Sequence, residues 1–235
     1  MKIEFMFPEV CALYGDYGNI TLVKQMFKEA TIYETKIIDT PRWVSENVDY
    51  IYMGAMSEKI QLDVIKILLS HKARFIELIE AGTHIIFTGN AMDVLGKTIT
   101  DEHGQVFDAL GIFDFTTIIN KKTRFNCLML GEYEGARITG FKTQFTMSYG
   151  DNINNYFMKV EKGIGLNRES NLEGFKKNNL IATNITGPLL VLNPDFTLNY
   201  FKEIDDNVTV PYFDVMKHAQ DKRVVDMLQM KTAIY

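Results

Sequence analysis

The run Ala91-Met92-Asp93-Val94-Leu95-Gly96-Lys97-Thr98 ends like a phosphate-binding loop, in which a glycine-rich turn cradles phosphates and a Lys-Thr pair opens a helix. Here alanine replaces the first glycine and an apolar helical turn precedes Gly96. The polar stretch Thr100-Asp101-Glu102-His103-Gly104 follows, so Gly96 is expected to close a helix, not to hold a nucleotide. Gly15 and Gly18 are too few for the dinucleotide fingerprint and mark a turn. His71, His84, His103 and His218 stand at neither metal nor triad spacing. Cys11 and Cys127 form no C-x-x-C or Cys/His group, so neither a metal centre nor a cofactor is expected and both thiols read as inert. What remains is Thr88-Gly89-Asn90, where an apolar run stops abruptly. Such a sharp strand-to-helix turn is where open α/β sheets place their chemistry.

The elements around that turn follow from apolar spacing. Ile3 to Phe7, Tyr33 to Ile38, Tyr50 to Met53, His84 to Phe87 and Leu180 to Ile185 read as strands. Between them, Ile20, Val23, Met26 and Phe27 recur at helical spacing behind Asn19 as N-cap. A second helix after Ser57 carries Ile60, Val64, Ile67, Leu68, Phe75 and Leu78 on one face and ends at Gly82. A short helix holds Met92, Val94 and Leu95. This alternation predicts a doubly wound, mostly parallel α/β sheet. From Ile112 the pattern changes. Phe113 to Ile119, Phe125 to Leu130 and Arg137 to Phe141 predict antiparallel strands added to that core. Pro194 starts a turn or short helix, and Pro211 opens a final amphipathic helix through Val215, Val224, Val225 and Leu228.

Composition bounds the function classes. The 235 residues, 46% of them hydrophobic, fit a single domain over 1–235 with one core. The formal net charge of −5 is spread without runs of like charge, which argues against a nucleic-acid face or a polybasic membrane patch. No window reaches the length of a membrane span, Met1 to Phe7 lacks a signal-peptide core, and two lone cysteines fit a reducing cytoplasm.

Taken together, several segments resemble the class I glutamine amidotransferases of the cobyric acid synthase type, above all the glutaminase subunits of lipid II isoglutaminyl synthases. Leu13-Tyr14-Gly15-Asp16-Tyr17-Gly18-Asn19-Ile20 resembles the L-Y-x-D-x-G-N-I loop, and Leu110-Gly111-Ile112-Phe113-Asp114 resembles an L-G-L-L-D segment. Glu173-Gly174, Gly187-Pro188-Leu189-Leu190 and Asn193-Pro194 resemble the E-G, H-G-P-L-L and N-P run. The resemblance implies a nucleophilic cysteine in C-G-G-x-Q-x-L-G and a histidine in H-G-P, and neither is present. Aligned without a gap on Leu95-Gly96, Gly89 stands at the cysteine and Asp93 at the glutamine. A register with one insertion puts Thr88 at the cysteine instead. Thr186 stands at the histidine. The oxyanion loop G-G-G-Q-D-x-x-Q matches Gly54-Ala55-Met56-Ser57-Glu58 and Gln61, with one of its three glycines left. Gly140-Phe141 resembles a G-F-E-x-H segment, with Lys142 and Gln144 at the acid and histidine. Arg124 either matches an arginine that the resemblance places near the substrate or forms a surface ion pair.

These departures imply a domain that has lost glutaminase chemistry and keeps its fold to dock on a synthetase or ligase, in amidation of the cell-wall or cobyric-acid kind, or to hold a small ligand. Gly54, Met56, Glu58, Asn90, Met92, Asp93 and Arg124 are the candidate ligand-binding residues around the degenerate Thr88, Gly89 and Thr186. Tyr14, Tyr17, Met56 and Met92 would rim a docking face unless the methionines fill the old pocket. The alternative is an enzyme with the turn reworked around Thr88, Asn90, Asp93, Glu58 and Arg124 for another hydrolytic or transfer reaction, with Glu58 or Asp93 as a base of raised pKa.

Overall fold

Alternation along the central strands sets up a layer on each face of one sheet. In the computed structural model, which describes residues 1–231, the chain runs β1 (Lys2–Met6), α1 (Tyr17–Met26), β2 (Thr31–Thr35), β3 (Tyr50–Met53), α2 (Glu58–Ser70), α3 (Lys72–Glu80) and β4 (His84–Thr88). A 3-10 turn over Gly89–Leu95 follows, then the short strands β5 (Thr98–Thr100) and β6 (Val106–Asp108), and β7 (Phe115–Ile119), β8 (Phe125–Tyr133), β9 (Ala136–Gln144) and β10 (Thr146–Gly150). The chain returns through β11 (Met158–Lys162), β12 (Leu172–Glu173), β13 (Phe175–Lys177) and β14 (Leu180–Thr183) to α4 (Leu189–Leu192), α5 (Pro194–Lys202) and α6 (Phe213–Gln229).

The main sheet has the order β13-β14-β4-β3-β1-β2 and is parallel except for β13. Ile51, Met53, Ile85 and Phe87 point to one face and meet Val64, Leu68, Phe75 and Leu78 of α2 and α3. Tyr50, Tyr52 and Ile86 point to the other and meet Ile20 and Val23 of α1 with Leu189, Phe196 and Phe201 of α4 and α5. The period-two pattern of buried strands thus becomes the doubly wound sheet that the sequence predicts. The added strands form two further four-stranded sheets. The sheet β10-β7-β5-β6 packs Ile99, Phe115 and Ile119 on the α2/α3 side, and β12-β11-β8-β9 packs Cys127, Met129 and Ile138 on the α1/α5 side.

Several boundaries differ from the sequence expectation. Asn19 lies inside α1, and Asp16 takes the N-cap position. The second strand ends at Thr35 because its ladder with β1 runs only from Lys2↔Thr31 to Met6↔Thr35, which leaves Ile38 exposed. The helix expected from Ser57 to Gly82 is two helices broken at His71, and its ends are as expected, with the Ser57 side chain accepting from Ile60 N and Gly82 at φ +80°. The last helix begins at Phe213, after Tyr212 in the left-handed region. Its apolar residues Val215, Val225 and Leu228 are exposed; what anchors it is Gln220, which donates to Arg137 O and Asn193 Oδ1, together with buried Met227. Asn193 stands just ahead of Pro194, the first residue of α5, and its side chain also bonds Thr139 and the Leu189 carbonyl, tying α4, α5 and β9 together.

Candidate functional site

Thr88 and Thr183 are register partners at the carboxyl ends of β4 and β14, so the turns that follow them, with the loop after β3, meet above one end of the sheet. Gly89 takes the first position after β4 at φ +60°, a conformation that an L residue adopts only under strain. A Cβ on Gly89 would stand 2.6 Å from Ala55 Cβ and 3.1 Å from Thr186 Cγ2. Gly89, Ala55 and Thr186 therefore face one another, and the Ala55 methyl group fills the space between them. The Thr186 hydroxyl donates to Phe141 O at 3.1 Å, which orients it to backbone.

The loop after β3 is closed in the same way. Gly54 N donates to Cys11 O at 3.2 Å, Ala55 N to Asp16 Oδ2 at 2.8 Å and Met56 N to Asn90 Oδ1 at 2.9 Å, so all three N–H groups are engaged inside the protein. Asn90 completes a two-way clamp by donating from Nδ2 to Met56 O at 2.8 Å. An oxyanion needs N–H groups aimed at open space. The cavity bordered by Tyr14, Ala55, Met56, Glu58, Gly89 and Thr186 has a volume of about 20 Å³, whereas small-molecule sites run to about 300–1,000 Å³.

Thr88 belongs to a buried chain: Asn19 Nδ2 lies 2.8 Å from the Tyr52 hydroxyl, which lies 2.8 Å from Thr88 Oγ1, and Thr88 donates to Asp16 Oδ2 at 2.9 Å. Asn19 Oδ1 accepts from Leu190 N at 2.8 Å, so the chain joins α1, β3, β4 and α4. Burial pushes the Asp16 carboxyl up to about 6, opposed by the hydrogen bonds from Ala55 N and Thr88. Asp93 is also fully buried. Burial raises its carboxyl to about 6, and Thr117 and Ser148 hydroxyls donate to Oδ1 at 3.3 Å each.

The structure brings Gly54, Met56, Glu58, Gly89, Asn90 and Thr186 together around the small cavity or its wall. Met92 is buried in the core beneath it, and Met56, also buried, forms part of its wall, so neither is exposed as a rim; Cys11 Sγ lies 3.8 Å from Met56 Sδ. Thr88 and Asp93 sit in two separate buried networks. Arg124 is exposed on β8's approach, its guanidinium 4.7 Å from the centre of the Phe145 ring, and lines a neighbouring open cavity of about 410 Å³ with Tyr14 and Phe141. The five residues of the reworked-enzyme alternative are therefore not gathered at one accessible point.

Sequence reasoning did not assign two features. The Asp16, Asn19 and Tyr52 chain was signalled only by the L-Y-x-D-x-G-N-I resemblance, which quotes two of its members. Lys142 is wholly buried, pairs with the Glu173 carboxylate and donates to Gly165 O at 2.6 Å. Glu173 Oε1 also accepts from Thr183 Oγ1 at 2.9 Å and Asn184 N at 2.8 Å. The lysine at the acid position of the G-F-E-x-H segment is thus the counter-charge of the E-G glutamate.

Among the described residues no helix is long and apolar enough to cross a membrane. Residues 2–193 match the CobB/CobQ-like glutamine amidotransferase domain. The chain is 26% identical over 202 residues to the lipid II isoglutaminyl synthase (glutamine-hydrolyzing) subunit GatD of Staphylococcus aureus (strain N315), covering 85% of this chain and 82% of that protein. Among solved structures, PurLQS from Thermotoga maritima matches with a TM-score of 0.53 at 11% identity, over 77% of this chain and 85% of its own. A crystal structure of a glutamine amidotransferase matches at 0.52 and 12% identity, over 85% and 97%. At these identities the two structures speak for the fold.

Proposed function

The chain belongs to the CobB/CobQ-like glutamine amidotransferase family, and from that premise we propose that it is a member without glutaminase chemistry, serving as a partner subunit of a synthetase or ligase. The observation that carries this reading is the Ala55 methyl group in the space that a side chain on Gly89 would need. Hydrolysis of an amide by this route requires a nucleophile, a base to activate it and donors for the tetrahedral oxygen. Gly89 supplies no nucleophile, Thr186 no base, and the N–H groups of residues 54–56 are already bonded. The partner role is supported by the similarity to a protein named as a synthase subunit, which also favours amidation of the cell-wall kind as the setting.

Ammonia release from glutamine, measured on the full chain alone and with any synthetase that co-purifies from its host, is expected at the no-protein background. Release above background that disappears on Thr88→Ala would overturn the proposal. The double variant Gly89→Cys/Thr186→His is expected to stay at background as well, because the 2.6 Å approach to Ala55 and the engaged loop persist.

A further inference from the structure

Arg223 on α6 is half-buried, and its guanidinium is only partly engaged. Nη1 donates to Thr139 Oγ1 at 3.0 Å and to Leu192 O at 3.3 Å, which occupies both hydrogens of that nitrogen and fixes the group against β9 and α4. Among the described residues nothing accepts from Nε or Nη2, and neither atom is sealed from solvent. Burial holds the guanidinium below its ordinary value, and no neighbouring anion opposes that shift. Nε and Nη2 together form the edge of an arginine that bonds both oxygens of a carboxylate at once.

Arg223 lines a cavity of about 290 Å³ between α6 and the β8/β9 hairpin, and most of the remaining wall is apolar: Leu128, Phe141, Leu192, Met227 and Met230. That volume lies at the small end of the range for small-molecule sites, about 300–1,000 Å³. α6 lies beyond residues 2–193, the segment that matches the amidotransferase family, so the cavity is separate from the filled pocket at the elbow. The one acid at its wall, Asp226, is half-exposed and lies 3.6 Å from Lys222 Nζ. A single fixed cation among apolar side chains selects a monoanion with a hydrocarbon body. A dianion would leave one charge uncompensated beside Asp226, and a small hydrophilic anion would leave the apolar wall in water. We infer that the cavity between α6 and β9 binds a small aliphatic carboxylate, its carboxylate on Arg223 Nε and Nη2 and its chain among Phe141, Leu192 and Met227.

Octanoate is the probe, with acetate and 1-octanol as controls that keep only the charge or only the chain. Titrated calorimetrically into the full chain below its micellar concentration, octanoate is expected to bind at one site, and each control at least about tenfold more weakly. With carbon-13 in the methionine methyl groups, the NMR signals of Met227 and Met230, assigned through Met227→Leu and Met230→Leu, should move as octanoate saturates. Arg223→Met should weaken octanoate by roughly 10–100-fold, the worth of hydrogen bonds to a charged group, and leave 1-octanol unchanged. Asp226→Asn, which removes the like charge at the wall, should tighten octanoate. 1-Octanol bound as tightly as octanoate, or Met227 and Met230 signals that stay fixed at saturation, would overturn the inference. Unchanged octanoate affinity in Arg223→Met would overturn it too. Should that variant fail to fold, the methionine spectra of the unaltered chain and the Asp226→Asn comparison decide the matter.

Discussion

Gly89 keeps the left-handed backbone of a strand-to-helix elbow and carries no side chain, while Ala55 supplies the methyl group that now fills the gap. The polar residues nearby have turned inward in the same manner. Asp16, Tyr52, Thr88 and Asn19 bond one another and the backbone of neighbouring loops, so hydroxyls and a carboxylate that could serve chemistry serve cohesion. Asp16 carries a pH signature. Its folded-state carboxyl is raised to about 6 by burial, against an unfolded value of about 3.9. Between those values the folded chain holds a proton that the unfolded chain has released. This group therefore lowers stability as pH rises through the window, and its penalty is complete above about 6. Its contribution is expected to be about 2 kcal/mol greater at pH 4 than at pH 7. Urea unfolding across that range should show the slope, and Asp16→Asn should reduce it by roughly half, because Asp93, raised alike by burial, supplies the remainder; an identical slope in the variant would contradict the assignment.

Between elements, the Lys142–Glu173 pair ties β9 to β12, and the hydrogen bonds of Glu173 continue to Thr183 and Asn184 at the end of β14. It replaces contact with solvent by contact with charge, a bargain that depends on both partners. Lys142→Met is expected to cost about 3–5 kcal/mol in urea unfolding because Glu173 is left buried and uncompensated. Adding Glu173→Gln should recover much of that loss, since the amide keeps an acceptor for Thr183 and Asn184 without the charge. Additive losses would show that the two do not act as a pair. The break at His71 belongs to this scale too. Leu68 and Phe75 keep helical spacing across it, so periodicity reads one helix, yet α3 turns to pack Phe75 against Trp43, 5.4 Å between ring centres, and Arg74 donates to Trp43 O. A loop residue about 30 positions earlier decides where the helix bends.

For the whole molecule, the two apolar clusters on opposite faces of the main sheet leave the strand ends as the place where loops meet. Leu13, Tyr14 and Tyr17 stand exposed there, Tyr17 at 51%, above a pocket whose methionines are part of the core. On the proposed reading, in which the fold serves a partner and not glutamine hydrolysis, that face is the docking surface for the synthetase. Tyr17→Glu places an acid in the first turn of α1, where the helix dipole tolerates it. Thermal stability is expected to stay unchanged while co-purification of the partner is lost. A partner retained at its original yield would leave the methionines as pocket filling and nothing more.

The sequence by itself determined the parallel core, the turn at Thr88-Gly89, the added antiparallel strands and the presence of Thr88, Gly89 and Thr186 where the resemblance implies a cysteine and a histidine. Those features are local: alternating apolar residues, glycine and proline punctuation and residue identities are all read within a few positions. Only the tertiary structure decided that Ala55 occupies the space beside Gly89, that Asp16 and Asn90 consume the loop N–H groups, and that Lys142 answers Glu173. Each of these pairs residues roughly 30 or more positions apart. No periodicity records such a pairing, because it exists only once the strands have set their register and the buried groups have had to find partners.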